Sequence, residues 1–173
     1  MSQAQSLSVE HGSDAPLYVS VTQTAIEQFG EEVAHSKGLS LDVRYVDSQG
    51  EPFDVSEVAA GEVMYVEVNA TRQDDFITRE RMALTYMIPA GWELSNARLF
   101  GEETANQVEY QDIRDDRVSS YFSMNPGNSI ELTFEVVATY PGRYYAPPVF
   151  AEAMYNGDIQ ASTQGQWVTV KTP

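Results

Sequence analysis

Cysteine is absent from the 173-residue chain, which excludes disulfides, thiolate nucleophiles and cysteine-ligated zinc or iron-sulfur centres. Basic residues are scarce: ten Lys and Arg stand against 26 Asp and Glu, a formal net charge of -16 at pH 7. Nucleic acid is therefore excluded as a partner, because phosphate backbones are gripped by clustered Lys and Arg. Direct contact with an anionic membrane surface is disfavoured for the same reason, and the acidic surplus reads as a self-repelling surface. Long apolar runs are also missing. No stretch approaches the roughly 18 residues of a membrane span, and Met1 to Ser6 lacks the basic start and apolar run of a signal peptide. On this reading the chain either stays where it is made or is a piece of something longer.

What the sequence has in abundance is alternation with a period of two, the pattern of strands with one apolar and one polar face. Leu39, Leu41, Val43 and Tyr45 form one such series, and Ile130, Leu132, Phe134 and Val136 another. Met64, Val66 and Val68, then Met82, Leu84, Tyr86 and Ile88, then Val118, Ser120 and Phe122 repeat it, as do Leu17, Val19 and Val21. Trp167, Val168 and Val170 suggest a closing strand. Turn signals separate these runs at Ser48 to Pro52, Pro89-Ala90-Gly91, Pro126-Gly127-Asn128, Pro141-Gly142 and Asn156-Gly157-Asp158. Many short strands joined by such turns predict an all-β protein, an antiparallel immunoglobulin-like sandwich or barrel. Residues 1–15 read as a polar lead-in and 16–173 as one sandwich domain. A long loop is expected near 24–38, where Gly30 interrupts a weak helical pattern of Ile26, Phe29 and Val33.

Catalytic chemistry finds little support. His11 and His35 lie in polar segments without a nucleophile elbow or a His-Glu-x-x-His pair, and read as solvated loop residues. Asp112, Asp115 and Asp116 are hard oxygen donors of the kind calcium uses, but their spacing departs from a calcium loop. Arg114 and Arg117 interleave with them, so charge pairing on a turn is the economical reading and no metal is expected. A glycosidase would need two carboxyl groups across one bond, one in an apolar pocket, and nothing local marks such a pair. No cofactor is implied, and an enzyme is not expected.

The aromatic segment from Pro141 to Tyr155 carries more. Tyr144, Tyr145, Phe150 and Tyr155 crowd into it, with Trp92 and Trp167 elsewhere. On one sheet face such rings would stack on sugars or fill a protein interface. Alternation buries Tyr144 or Tyr145 but not both. Met154 and Tyr155 are adjacent, so in a regular strand they point to opposite faces; they share a partner only at an irregular strand end, which the Asn156-Gly157 turn permits. The competing reading is that the pair caps the domain's own core.

Several motifs then combine. Gly38 to Tyr45, Gly50 to Asp54, Gly61 to Val66, Ile88 to Leu94, Asp115 to Val118 and the closing Pro147 to Tyr155 resemble, in this order, the C-terminal domain of bacterial alpha-2-macroglobulins. The likeness runs from about Leu17 onward. It implies a macroglobulin-like β-sandwich at the end of a large periplasmic protease trap whose parent is anchored by lipid to the inner membrane. In that family bait cleavage by a protease triggers rearrangement, and a thioester built from a cysteine and a glutamine of another domain captures the attacker, although some bacterial members have no thioester. Without cysteine this chain does not carry the warhead. The resemblance gives Met154 and Tyr155 the place of a Met-Tyr pair that shields the thioester, and makes the thioester domain of the same polypeptide the direct partner, with target proteases reached through the whole parent. The alternative from another class is a stand-alone bacterial surface or carbohydrate-binding sandwich using the same aromatics as a platform.

Overall fold

The structure is a computed structural model that describes residues 8–12, 16–22, 24, 28–75, 77–95 and 108–172. Among these residues thirteen strands and no helix are found. The expected helical residue Ile26 lies outside the described residues.

The six-stranded sheet contains β1 (His35–Lys37), β12 (Asn156–Ser162), β11 (Phe150–Ala153), β5 (Glu80–Met87), β8 (Arg117–Met124) and β7 (Val108–Ile113), in that spatial order and antiparallel throughout. A four-stranded antiparallel sheet contains β2 (Leu39–Val46), β4 (Val63–Arg72), β9 (Ser129–Ala138) and β6 (Trp92–Leu94). A small sheet of β10 (Gly142–Ala146), β13 (Gln166–Lys171) and β3 (Glu57–Ala59) completes the fold, with β3 parallel to β13. The chain is an all-β, immunoglobulin-like sandwich, as the alternation predicts.

The period-two residues meet between the sheets. Met64, Val66, Val68, Leu132 and Val136 from the four-stranded sheet are fully buried with Met82, Leu84 and Ala151 from the six-stranded one. Each large aliphatic side chain so buried contributes about 1.5–3 kcal/mol. Tyr86 of β5 stacks on Phe134 of β9, ring centroids 5.1 Å apart, and ties the two layers together. Turns at Pro89 to Gly91 and at Pro126 to Asn128 carry the chain from one sheet to the other, which is why proline and glycine stand there. At Gly91 a Cβ would lie 2.1 Å from the Tyr144 ring, so any larger residue there would displace that ring.

Two expectations need correction. Leu17, Val19 and Val21 form no strand: residues 16–22 run outside every sheet and these three side chains are half or more exposed. Alternation makes one face apolar, but a strand also needs a neighbour to pair with, and this segment has none among the described strands. The Asn156-Gly157-Asp158 turn is also displaced. The hairpin between β11 and β12 turns two residues earlier, at Met154-Tyr155.

Candidate functional site

β10 and β11 are two halves of one path that changes sheet across Ala146-Pro147-Pro148-Val149. Two prolines remove ladder donors at the crossing and release the chain from one sheet before it joins the other. β11 then runs between β5 and β12, with Ala151 and Ala153 buried and Phe150 and Glu152 facing out.

Met154 and Tyr155 are the whole loop of the following hairpin, since Ala153 pairs with Asn156. Tight two-residue hairpins usually require positive φ, yet among the described residues positive φ occurs at glycines alone. The departure from a regular hairpin ladder falls in β12. The register jumps between Glu152, opposite Gln160, and Ala153, opposite Asn156, leaving Gly157, Asp158 and Ile159 as a bulge. The bulge is closed by Asp158 N–H donating to Asn156 Oδ1 (3.1 Å) and Gln160 Nε2 donating to the Gly157 carbonyl (3.1 Å). The turn residues read in the sequence thus shape the bulge, and the apolar pair is pushed to the tip. Met154 is 45% exposed and Tyr155 78% exposed. The tip's backbone is fixed all the same, because Met154 N–H donates to the Arg81 carbonyl of β5 (2.8 Å).

The remaining aromatics do not share one platform. Tyr144 and Tyr145 are both half-buried, against the expectation that only one would be. Tyr144 packs on the core. Tyr145 lies between Phe29 (4.9 Å) and Trp167 (5.5 Å), and the Arg143 guanidinium sits 4.2 Å above the Trp167 ring. Both tyrosines find cover because Phe29 and Gly30, from the loop before β1, lie over the second one. Gly30 N–H donates to Tyr145 Oη (3.2 Å), and Gln164 Nε2 to the Gly30 carbonyl (3.2 Å). A hydrogen bond from Tyr145 holds the Glu32 carboxyl below its ordinary value. Partial burial, with the same bond, pushes the Tyr145 phenol up. Phe150 sits on the outer face of the six-stranded sheet, away from this cluster.

On the β7–β8 hairpin, Arg114 pairs with Asp112 (2.9 Å) and Arg117 with Asp116 (3.8 Å), the charge pairing its sequence suggests. His35, expected on a loop, stands exposed on edge strand β1, so the loop expected near 24–38 gives way to a strand at His35–Lys37, where the backbone pairs with β12.

One buried constellation went unread in the sequence. Arg72 continues the apolar phase of β4 after Met64, Val66, Val68 and Ala70, and its side chain is fully enclosed. Its guanidinium grips Asp74 through Nε (2.5 Å) and Nη2 (2.9 Å). Nη1 donates to the carbonyls of Thr78 (2.6 Å) and Met124 (2.8 Å). An arginine in the apolar phase of a strand, with an aspartate two residues on, was the available signal.

A family profile described as the bacterial alpha-2-macroglobulin MG10 domain matches residues 38–158. The chain is 27% identical over 164 residues to an alpha-2-macroglobulin of Pasteurella multocida, covering 92% of this chain and 8% of that protein. Among solved structures, Salmonella alpha-2-macroglobulin reacted with methylamine superposes with a TM-score of 0.69 at 22% identity, covering 81% of this chain and 10% of the other. Trypsin-activated alpha-2-macroglobulin from Escherichia coli gives 0.70 at 17% identity, over 81% and 11%. The chain thus spans about a tenth of the length of the relatives it matches. With the sandwich built and well over half of its residues matched, the chain belongs to the bacterial alpha-2-macroglobulin MG10 domain family.

Proposed function

We propose that this chain is the part of a bacterial alpha-2-macroglobulin-type protease inhibitor that packs against the thioester-bearing domain of the same polypeptide, with Met154 and Tyr155 as the shielding contact. The observation that carries the reading is the β11–β12 tip, where an apolar pair stands exposed on a backbone tied to β5. A thioester survives only where water and small amines are kept out, and a thioether beside a phenol supplies bulk with little polar surface. The Tyr155 hydroxyl adds a donor that can anchor the contact. The relatives support the chemistry: one was reacted with methylamine and another activated by trypsin. The domain's role is non-enzymatic, its proteases are met through the full-length parent, and the parent works in the periplasm, held by lipid to the inner membrane.

Covering one large apolar side chain contributes about 1.5–3 kcal/mol, roughly ten- to a hundredfold in an equilibrium between shielded and open states. In the full-length parent, Tyr155→Ala should therefore react with methylamine at least about tenfold faster before any protease is added. Unchanged resistance to methylamine together with unchanged dependence on protease would overturn the proposal.

A further inference from the structure

The Met154-Tyr155 tip has two legs, and both lead back to the buried ion pair. On the β11 side, Met154 N–H is held by the Arg81 carbonyl. The residue before Arg81, Glu80, stands opposite Met124 in the β5–β8 ladder, and the Met124 carbonyl accepts from Arg72 Nη1. The same nitrogen holds the Thr78 carbonyl, so the guanidinium fixes the approach to β5 and the end of β8 together. On the β12 side, the route runs through Asp74. Its side chain lies over Gly38, where an added Cβ would lie 3.1 Å from the Asp74 Cβ and 2.9 Å from the Asp158 carbonyl oxygen. Gly38 takes positive φ, its carbonyl accepts from Gln73 N–H (2.9 Å), and it bridges to Gln160 beyond the bulge. Lys37, next in chain, pairs with the Asp158 carboxylate.

We infer that the Arg72–Asp74 pair is the positioning device of the tip. It seats the two legs of the β11–β12 hairpin relative to each other, and so sets where Met154 and Tyr155 project. A buried ion pair is seldom the most stable filling for a core, since apolar residues of similar volume often do as well. What it supplies here is direction: four hydrogen bonds from one planar group, aimed at Asp74 and the Thr78 carbonyl in the β4–β5 connection and at the Met124 carbonyl at the end of β8. The use of this positioning rests on the shielding role proposed above, whereas the positioning itself is a property of this chain.

Amide hydrogen exchange on the 173-residue chain separates the two. Lysine at position 72 keeps the charge but not the planar fork, so in Arg72→Lys the Met154 amide should exchange about tenfold faster than the change in global stability explains. Global stability is read from the slowest amides of β4 and β9. The control Leu132→Ala lowers stability in the core without touching the clamp, and should speed the β4–β9 amides by the factor its lost stability sets and Met154 by no more than that factor. Asp74→Asn, which keeps the shape of the carboxylate, provides the second test and should behave as Arg72→Lys does. If the ratio of Met154 protection to β4–β9 protection is unchanged in a folded variant, the inference is wrong. If neither variant folds, the pair serves the whole sandwich and the inference is equally overturned. Neither outcome bears on the methylamine test of Tyr155→Ala, so the two ideas fail separately.

Discussion

The backbone amide of Met154 donates to the carbonyl of Arg81 at 2.8 Å, so the hairpin tip is fastened to the neighbouring strand while its side chains stay in solvent. A pair that capped the domain's own core would show the reverse, buried side chains on whatever backbone was convenient. Met154→Ala and Tyr155→Ala should therefore change the unfolding free energy of this chain by no more than about 0.5 kcal/mol. Urea denaturation of the 173-residue chain measures this, and a loss well above about 1 kcal/mol would restore the core-capping reading.

Arg72 and Asp74 are enclosed together, with side chains 0% and 5% exposed. Removing one partner strands a charge in the core, so Arg72→Met should cost about 3–5 kcal/mol. Replacing both, as Arg72→Met with Asp74→Leu, should recover most of that loss, since no uncompensated charge remains. A double variant as unstable as the single one in urea would show that the hydrogen bonds to Thr78 and Met124 matter more than charge balance.

Tyr86 is wholly buried, and its hydroxyl has no hydrogen-bond partner among the described residues. Tyr86→Phe keeps the stack on Phe134 and removes an unsatisfied polar atom, so stability should rise by about 1 kcal/mol. Burial also pushes the Tyr86 phenol well above its ordinary value of 10.0. The raised value means that the fold holds the neutral form: the stabilisation is complete below the unfolded value and is lost as pH rises from there toward the folded one. Denaturant midpoints measured upward from pH 10 should fall for the parent chain, and less steeply for Tyr86→Phe. Equal slopes would locate the alkaline sensitivity elsewhere.

Glu32 has the opposite sign. Its carboxyl lies below the ordinary 4.5 because Tyr145 hydrogen-bonds to it. The contribution is present above that value and lost as pH falls through the folded one. Trp167, 5.5 Å from Tyr145, should report the loosening as a fluorescence change below pH 4.5. Glu32→Gln should abolish that acid-limb change while leaving the remainder of the titration intact; an unaltered transition would contradict the assignment.

These residues show what alternation makes legible. Met64, Val66, Val68, Leu132, Phe134 and Leu84 were recognisable as core because a strand's inward phase is written in hydrophobicity, and all are buried between the sheets. Leu17, Val19 and Val21 carry the same pattern outside any sheet, because pairing depends on a neighbour that no local sequence specifies. Asn156-Gly157-Asp158 marked an irregularity correctly but shaped a bulge, and the exposed tip came two residues earlier. Arg72 was not legible because a charged residue at the end of an apolar series looks like the strand leaving the core; three of its bonds reach the adjoining Asp74 and Thr78, and the fourth, to Met124, forms only once β8 has come alongside.

The contact proposed for the tip is most directly tested by placing the photo-crosslinker p-benzoylphenylalanine at position 155 of the full-length parent and mapping its crosslinks by mass spectrometry before and after protease treatment. Shielding predicts an intramolecular crosslink to the thioester-bearing domain in the untreated protein, lost once the bait has been cut. Crosslinks confined to this sandwich, or a pattern unchanged by the protease, would contradict it.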